Sequence, residues 1–138
     1  MRLMTFIFLL ILGLSCSSTK NSTMNSGKLN GTWLPVKQEM SGRLLPGATL
    51  ENQKLIISDS TYTFIAESID KGVLRYRDGK MDIYGKESVN AGKHFTAIYK
   101  YETGQLTVCY NLLGDGYPKA FETKSMPSLF LSVFKKGM

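Results

Sequence analysis

Two cysteines and one histidine in a chain of 138 residues leave little from which to build a thiolate or imidazole metal centre or a nucleophilic triad. His94 has no Cys, Asp or Glu beside it at ligand or triad spacing, so such a site would need distant carboxylates to converge. The expectation is therefore no catalytic residue, no metal and no cofactor. No window of eleven or more residues carries a convincing helical period of apolar residues, which excludes a helical bundle. No apolar run reaches the ~18 residues that would mark a permanent transmembrane helix. Grouped charge of one sign is also missing. Lys and Arg number 17 against 11 Asp and Glu, a net charge of +6. The basic residues stand singly, apart from Arg75/Arg77 and Lys135/Lys136. With no stripe suited to a phosphate backbone, nucleic acid is not an expected partner.

What is present begins with an abrupt change of composition. Arg2 precedes an apolar stretch from Leu3 to Leu14, followed by Ser15-Cys16-Ser17-Ser18. About twelve residues at a 1.5 Å rise span only ~18 Å, short of the ~30 Å hydrocarbon core, so Met1 to Ser15 reads as a signal peptide. The run Gly13-Leu14-Ser15-Cys16 resembles the lipobox of bacterial lipoproteins, with Leu12 one place earlier than the usual pattern. That resemblance implies cleavage before Cys16 and a diacylglyceryl group on its thiol. The chain would then be exported and held by lipid on a bacterial membrane, with the outer membrane expected, facing the periplasm or the surface. Two or three acyl chains suffice for stable anchoring where one does not. Ordinary cleavage near Ser17 or Ser18, leaving an unanchored periplasmic protein, is the alternative. Residues 16–28 are polar and without period, and read as a flexible tether. Lipidated Cys16 would leave Cys109 unpaired and buried in a strand as a small apolar residue. A Cys16–Cys109 disulfide is the rival arrangement.

Residues 29–138, about 110 in all, suffice for one domain with a modest core. They break into short β-rich runs punctuated by turn residues every eight to twelve positions, the spacing of a sandwich or barrel. Strands are expected over 31–40, 53–58, 61–68, 72–77, 80–84, 94–101, 105–111, 119–123 and 128–135. Asp78-Gly79 is a two-residue hairpin signal, because a type I′ turn needs positive φ at both central positions. Glu102-Thr103-Gly104 places a second turn between two alternating runs. Serial hairpins make an up-and-down meander, and so many short strands avoid long exposed edges by closing. The fold class expected is all-β: a small antiparallel barrel of about eight strands, whose interior suits either packed side chains or one small ligand.

Gly31-Thr32-Trp33 opens the first run, and the longer pattern continues with Val36 and Glu39, Gly42 to Pro46, Ala97-Ile-Tyr99, Leu106-Thr-Val-Cys-Tyr110 and a closing Val133-Phe-Lys135. Together they resemble the lipocalins and their calycin relatives, and in particular small uncharacterised bacterial lipocalin-like domains often carried on exported proteins. The resemblance covers nearly all of 29–136. It implies that Trp33 closes one end of the barrel beneath a basic residue late in the last strand, either Lys135 or Lys136, by cation–π packing. Tyr117-Pro118 stands where that family commonly has an Arg-Pro pair, and no activity carries over.

Three functions stay open at this level. A barrel with a usable opening would bind a small hydrophobic molecule, with Tyr62, Phe64, Tyr76, Phe95, Tyr99, Tyr110 and Phe121 as candidate lining. A filled core would instead leave a protein-interaction module or inhibitor in the envelope, meeting an envelope protein through the loops at 85–93 and 112–117. Catalysis is the least supported. Glu39, late in the first strand, is expected to pair with a basic residue across the sheet.

Overall fold

The computed structural model describes residues 28–138. The expected signal peptide, Cys16 and all of the tether but Lys28 lie outside the described residues. Strands occupy β1 (Gly31–Met40), β2 (Arg43–Leu44), β3 (Lys54–Ser58), β4 (Thr61–Ile65), β5 (Ile69–Arg77), β6 (Lys80–Glu87), β7 (His94–Glu102), β8 (Gln105–Asn111) and β9 (Leu129–Lys136). Helical structure among the described residues is limited to 3-10 turns at Gly47–Thr49 and Ser88–Asn90. No helix there is long and apolar enough to cross a membrane.

From β3 to β9 each strand pairs antiparallel with the next, and β9 returns to pair with β1 from Trp33↔Lys136 to Met40↔Phe130. The start of β1 pairs with β3, so the sheet closes into an eight-stranded up-and-down barrel of lipocalin-like topology. Closure leaves no barrel strand with an unpaired edge. The two-residue β2 folds back on Glu39 and Met40 as a short arm and is not expected from the sequence.

Turn chemistry gives the barrel two unlike ends. Asp59-Ser60, Asp78-Gly79 and Thr103-Gly104 are tight links, and at the last two both central residues have positive φ, +51° and +78°, then +49° and +77°. This is the type I′ signature, and it brings three hairpin turns to one end. Longer connections at 41–53, 66–68, 88–93 and 112–128 crowd the other.

Alternation sorts the side chains. In β8, Leu106, Val108 and Tyr110 point inward, while Cys109 points outward. A bulge between Pro35 and Lys37 shifts the parity of β1, so Trp33 lies inside before it and Gln38 inside after it. The core proper holds Leu29, Trp33, Leu106, Val108 and Phe134 at 1% exposure or less. A satellite cluster lies outside the wall, where Cys109, Leu129 and Leu131 pack with Ile98 and Phe121. Among the described residues Cys109 forms no disulfide; its buried thiol donates to the Glu122 carbonyl, and burial pushes its pKa up.

The expected strand over Lys119–Thr123 does not form. Pro118 withdraws a donor at its start, and the segment is part of the long β8–β9 connection that lies over the satellite cluster. Its alternating pattern comes from side-chain contacts: Phe121 covers Cys109, while Thr123, fully buried, accepts from the Gly42 N–H at 2.9 Å and donates to Glu39 Oε1 at 2.7 Å. Glu39 thus meets a hydroxyl rather than the basic residue expected.

Candidate binding cavity

At the end with the tight turns, the chain entering the barrel seals it. Leu29 is fully buried, and its carbonyl accepts from Trp33 Nε1 at 2.9 Å while its N–H donates to the Tyr76 hydroxyl at 3.2 Å. Tyr101 meets the indole edge-on with centroids 5.7 Å apart. Strand parity separates the two candidate cations. Lys136 lies across from Trp33, with Nζ 4.5 Å from the ring centroid and donating to the Asn30 carbonyl at 2.7 Å. Lys135 points the other way, is exposed, and does not cover the indole. Gly31 makes room for this cation: its φ is +133°, and a Cβ there would lie 2.8 Å from Lys136 Cε.

Toward the opposite end the interior is hollow. A cavity of about 180 Å³ is walled by Leu55 and Ile57 of β3, Tyr62 and Phe64 of β4, Leu74 of β5, Met81 and Ile83 of β6, Phe95 of β7, Leu106, Val108 and Tyr110 of β8, and Phe130 of β9. Asn90 and Leu112, from two of the long connections, stand at its mouth. The wall is apolar almost throughout, which suits a ligand held by burial rather than by many hydrogen bonds.

Of the aromatics singled out from the sequence, Tyr62, Phe64, Phe95 and Tyr110 reach this cavity. Tyr76 and Tyr99 do not. They meet edge-on with centroids 5.7 Å apart and fill the interior toward the sealed end. Phe121 lies outside the barrel wall, 4.8 Å beneath Lys100 Nζ.

One polar side chain in the wall is not among the residues expected from the sequence. Asp70 shares the inward face of β5 with Gly72, Leu74 and Tyr76, and is 9% exposed. Its Oδ2 accepts from Asn90 Nδ2 at 2.8 Å and from the Tyr62 hydroxyl at 3.3 Å. Its Oδ1 is buried and has no hydrogen-bond partner among the described residues. Burial, then the charge and hydrogen bond of Asp70, push the Tyr62 phenol well above its ordinary value. Burial does the same to Tyr110.

On the outer surface, folding supplies what spacing along the chain does not. His94 Nε2 lies 2.9 Å from Asp82 Oδ1, Tyr117 donates to Asp82 Oδ2 at 2.7 Å, and the imidazole stacks on Tyr84 with centroids 4.5 Å apart. The group lies on the outer face of β6 and β7, and Thr96 ties the Gly116 carbonyl to the same place. These contacts pin the start of the β8–β9 connection. No cluster of metal-ligating side chains occurs among the described residues.

The hydrogen bond to Asp82 pushes the Tyr117 phenol up to about 12 from its ordinary 10. Since the folded value is the raised one, this contribution to stability is complete below pH 10 and is lost as the pH climbs through about 12. Denaturation of Tyr117→Phe across pH ~9 to ~12 is therefore expected to show a shallower alkaline loss of stability than the parent. Because Tyr117 is 37% exposed, the difference at neutral pH should stay within ~1 kcal/mol.

Compared with protein-family models, with curated proteins and with solved structures, the chain matches none.

Proposed function

We propose that this chain is an exported, lipid-anchored envelope protein whose barrel is a binding module, not an enzyme, taking up a small hydrophobic molecule at the end opposite Trp33. The observation that carries the reading is the cavity of about 180 Å³ with an apolar wall. A cavity of ~150 Å³ lined by comparable side chains admits benzene, so this one has room for a single ring with a short arm. Burying such a ligand returns ~25 cal/mol per Å² of apolar surface, enough for affinity without many polar contacts. The lipocalin-like topology and the Gly31-Thr32-Trp33 opening support kinship with small bacterial lipocalin-like domains.

Val108, 1% exposed and in the cavity wall, gives the direct test. Toluene followed by NMR titration is expected to bind the parent protein saturably and Val108→Phe roughly tenfold more weakly or worse, since the larger side chain occupies the space. Overpacking should cost the variant ~1–3 kcal/mol, so a retained fold can be checked by circular dichroism. Unchanged toluene affinity in a folded Val108→Phe protein would place binding elsewhere.

Anchoring rests on Cys16 and the apolar run before it. The full-length protein expressed in a bacterium should move from the membrane fraction to the soluble periplasmic fraction on Cys16→Ser. Membrane retention of that variant would overturn lipid anchoring.

One feature favours a protein partner as the second reading. Ile69, Val89 and Leu113, each more than half exposed, and Leu112 sit in or beside the connections at the mouth, three of them in the loops expected to carry contacts. Covered by a partner, these side chains would return ~25 cal/mol per Å² of apolar surface buried. A partner bound over this rim would cover the cavity as well.

A further inference from the structure

The cavity wall contains a carboxylate whose needs the protein meets only in part. Asp70 accepts twice at Oδ2, from Tyr62 and Asn90, both of which also line the cavity. Among the described residues its buried Oδ1 has no hydrogen-bond partner and Asp70 takes part in no ion pair. An acceptor buried in this way is costly, and native structures rarely keep one without a reason. Both protein neighbours donate to Oδ2, and among the described residues no cationic side chain lies within ion-pair distance of this carboxyl in its apolar wall. The same space is walled by the rings of Tyr62, Phe64, Phe95 and Tyr110, and aromatic faces attract cations.

We infer that the cavity binds a small apolar ammonium ion, an arylalkyl- or alkylamine whose N–H donates to the Asp70 carboxylate while its hydrocarbon part fills the aromatic and aliphatic remainder. The inference rests on the proposed use of this cavity for small hydrophobic molecules and adds the headgroup. A protonated amine meets three requirements together: it brings the Asp70 carboxylate a further donor, places a counter-charge beside it, and offers a cation to the rings. A hydroxyl meets only the first. A carboxylate ligand would oppose Asp70 and is disfavoured. The volume limits the ligand to about one ring and a two-carbon arm, or a short alkyl chain.

Four probes of similar size test the headgroup on the purified protein at neutral pH: phenethylamine, 2-phenylethanol, propylbenzene and phenylacetate, each titrated by NMR. Phenethylamine is expected to bind about 10- to 100-fold more tightly than propylbenzene, the range of a hydrogen bond to a charged group. The alcohol should fall between them, and the acid should bind most weakly. In Asp70→Asn the preference of amine over hydrocarbon should shrink to within about threefold. Propylbenzene binding as well as the amine, or the alcohol matching it, would overturn the ammonium headgroup and leave the apolar cavity standing. Failure of all four to bind would overturn the proposed function and this inference together. Should Asp70→Asn fail to fold, the order of the four probes on the unaltered protein decides between the headgroups.

Discussion

Trp33→Ala is expected to lower unfolding stability by ~3–5 kcal/mol in chemical denaturation, the range for deleting a buried Trp. The indole is 1% exposed, donates to the Leu29 carbonyl, and sits between Tyr101 and Lys136. Its loss would open a void at the sealed end and release Leu29, which crosses that end. Small domains hold ~5–15 kcal/mol in total, so the variant should approach the threshold of folding. Lys136→Met separates the ring from the charge above it. That change keeps most of the aliphatic stem and removes a cation–π contact worth ~0.5–1 kcal/mol at exposed sites together with the hydrogen bond to the Asn30 carbonyl. A large loss from Trp33→Ala beside a small one from Lys136→Met would assign the closure to burial of the ring. Equal losses would assign it to the cation.

Gly72→Ala is the second change expected to have a large effect, and here two opposing terms must be weighed. In an ordinary strand, alanine is better than glycine by ~0.5–1 kcal/mol, because glycine gives up more backbone freedom on folding. At this position, however, a Cβ would lie 2.0 Å from the Tyr84 carbonyl oxygen and 2.8 Å from Tyr62 Cε1. The first neighbour is backbone and cannot rotate away, so β5 and β6 must part beside the register shift at Lys71/Gly72. The steric term exceeds the entropic gain, and a net loss of more than ~2 kcal/mol is expected, well beyond the ~1 kcal/mol of an average substitution. Displacing Tyr62 would also disturb its bond to Asp70 and weaken ligand binding. Gly47→Ala, where a Cβ meets nothing within 4 Å, is the control and should stay within ~0.5 kcal/mol of the parent.

Local chemistry in the sequence carries the turns and most strands. Asp78-Gly79 forms the two-residue turn that its backbone demands, and the runs on either side pair across it. Pattern misleads where alternation has another cause. Phe121 and Thr123 alternate because the first covers the outside of the barrel and the second holds the Ser41-Gly42 turn through the Gly42 N–H, not because they join the sheet. The sealed end is legible in Gly31-Thr32-Trp33, whereas the choice between Lys135 and Lys136 needs the register of β9 against β1. Residue type alone does not say which end, or which face, a ring will reach, so Tyr76, Tyr99 and Phe121 cannot be told from the cavity aromatics without the fold.

Asp70 escapes sequence reasoning for a related reason. The strand is expected to begin at Gly72, and β5 in fact begins earlier, at Ile69. Extending the period of two back from Tyr76 through Leu74 and Gly72 puts Asp70 on the inward face, so a signal is present in the parity. Asn90 carries no such signal, because a 3-10 turn between β6 and β7 places it. The Asp82–His94 contact likewise depends on the β6–β7 register, which pairs Tyr84 with His94.

Ligand uptake depends on a barrel sealed at one end and hollow at the other, and nuclear Overhauser contacts between bound toluene and the protein test this most directly. Contacts are predicted to Phe64, Phe95 and Tyr110, with none to Trp33 or Tyr101. Contacts to the indole in place of those three rings would mean that the sealed and open ends have been assigned the wrong way round.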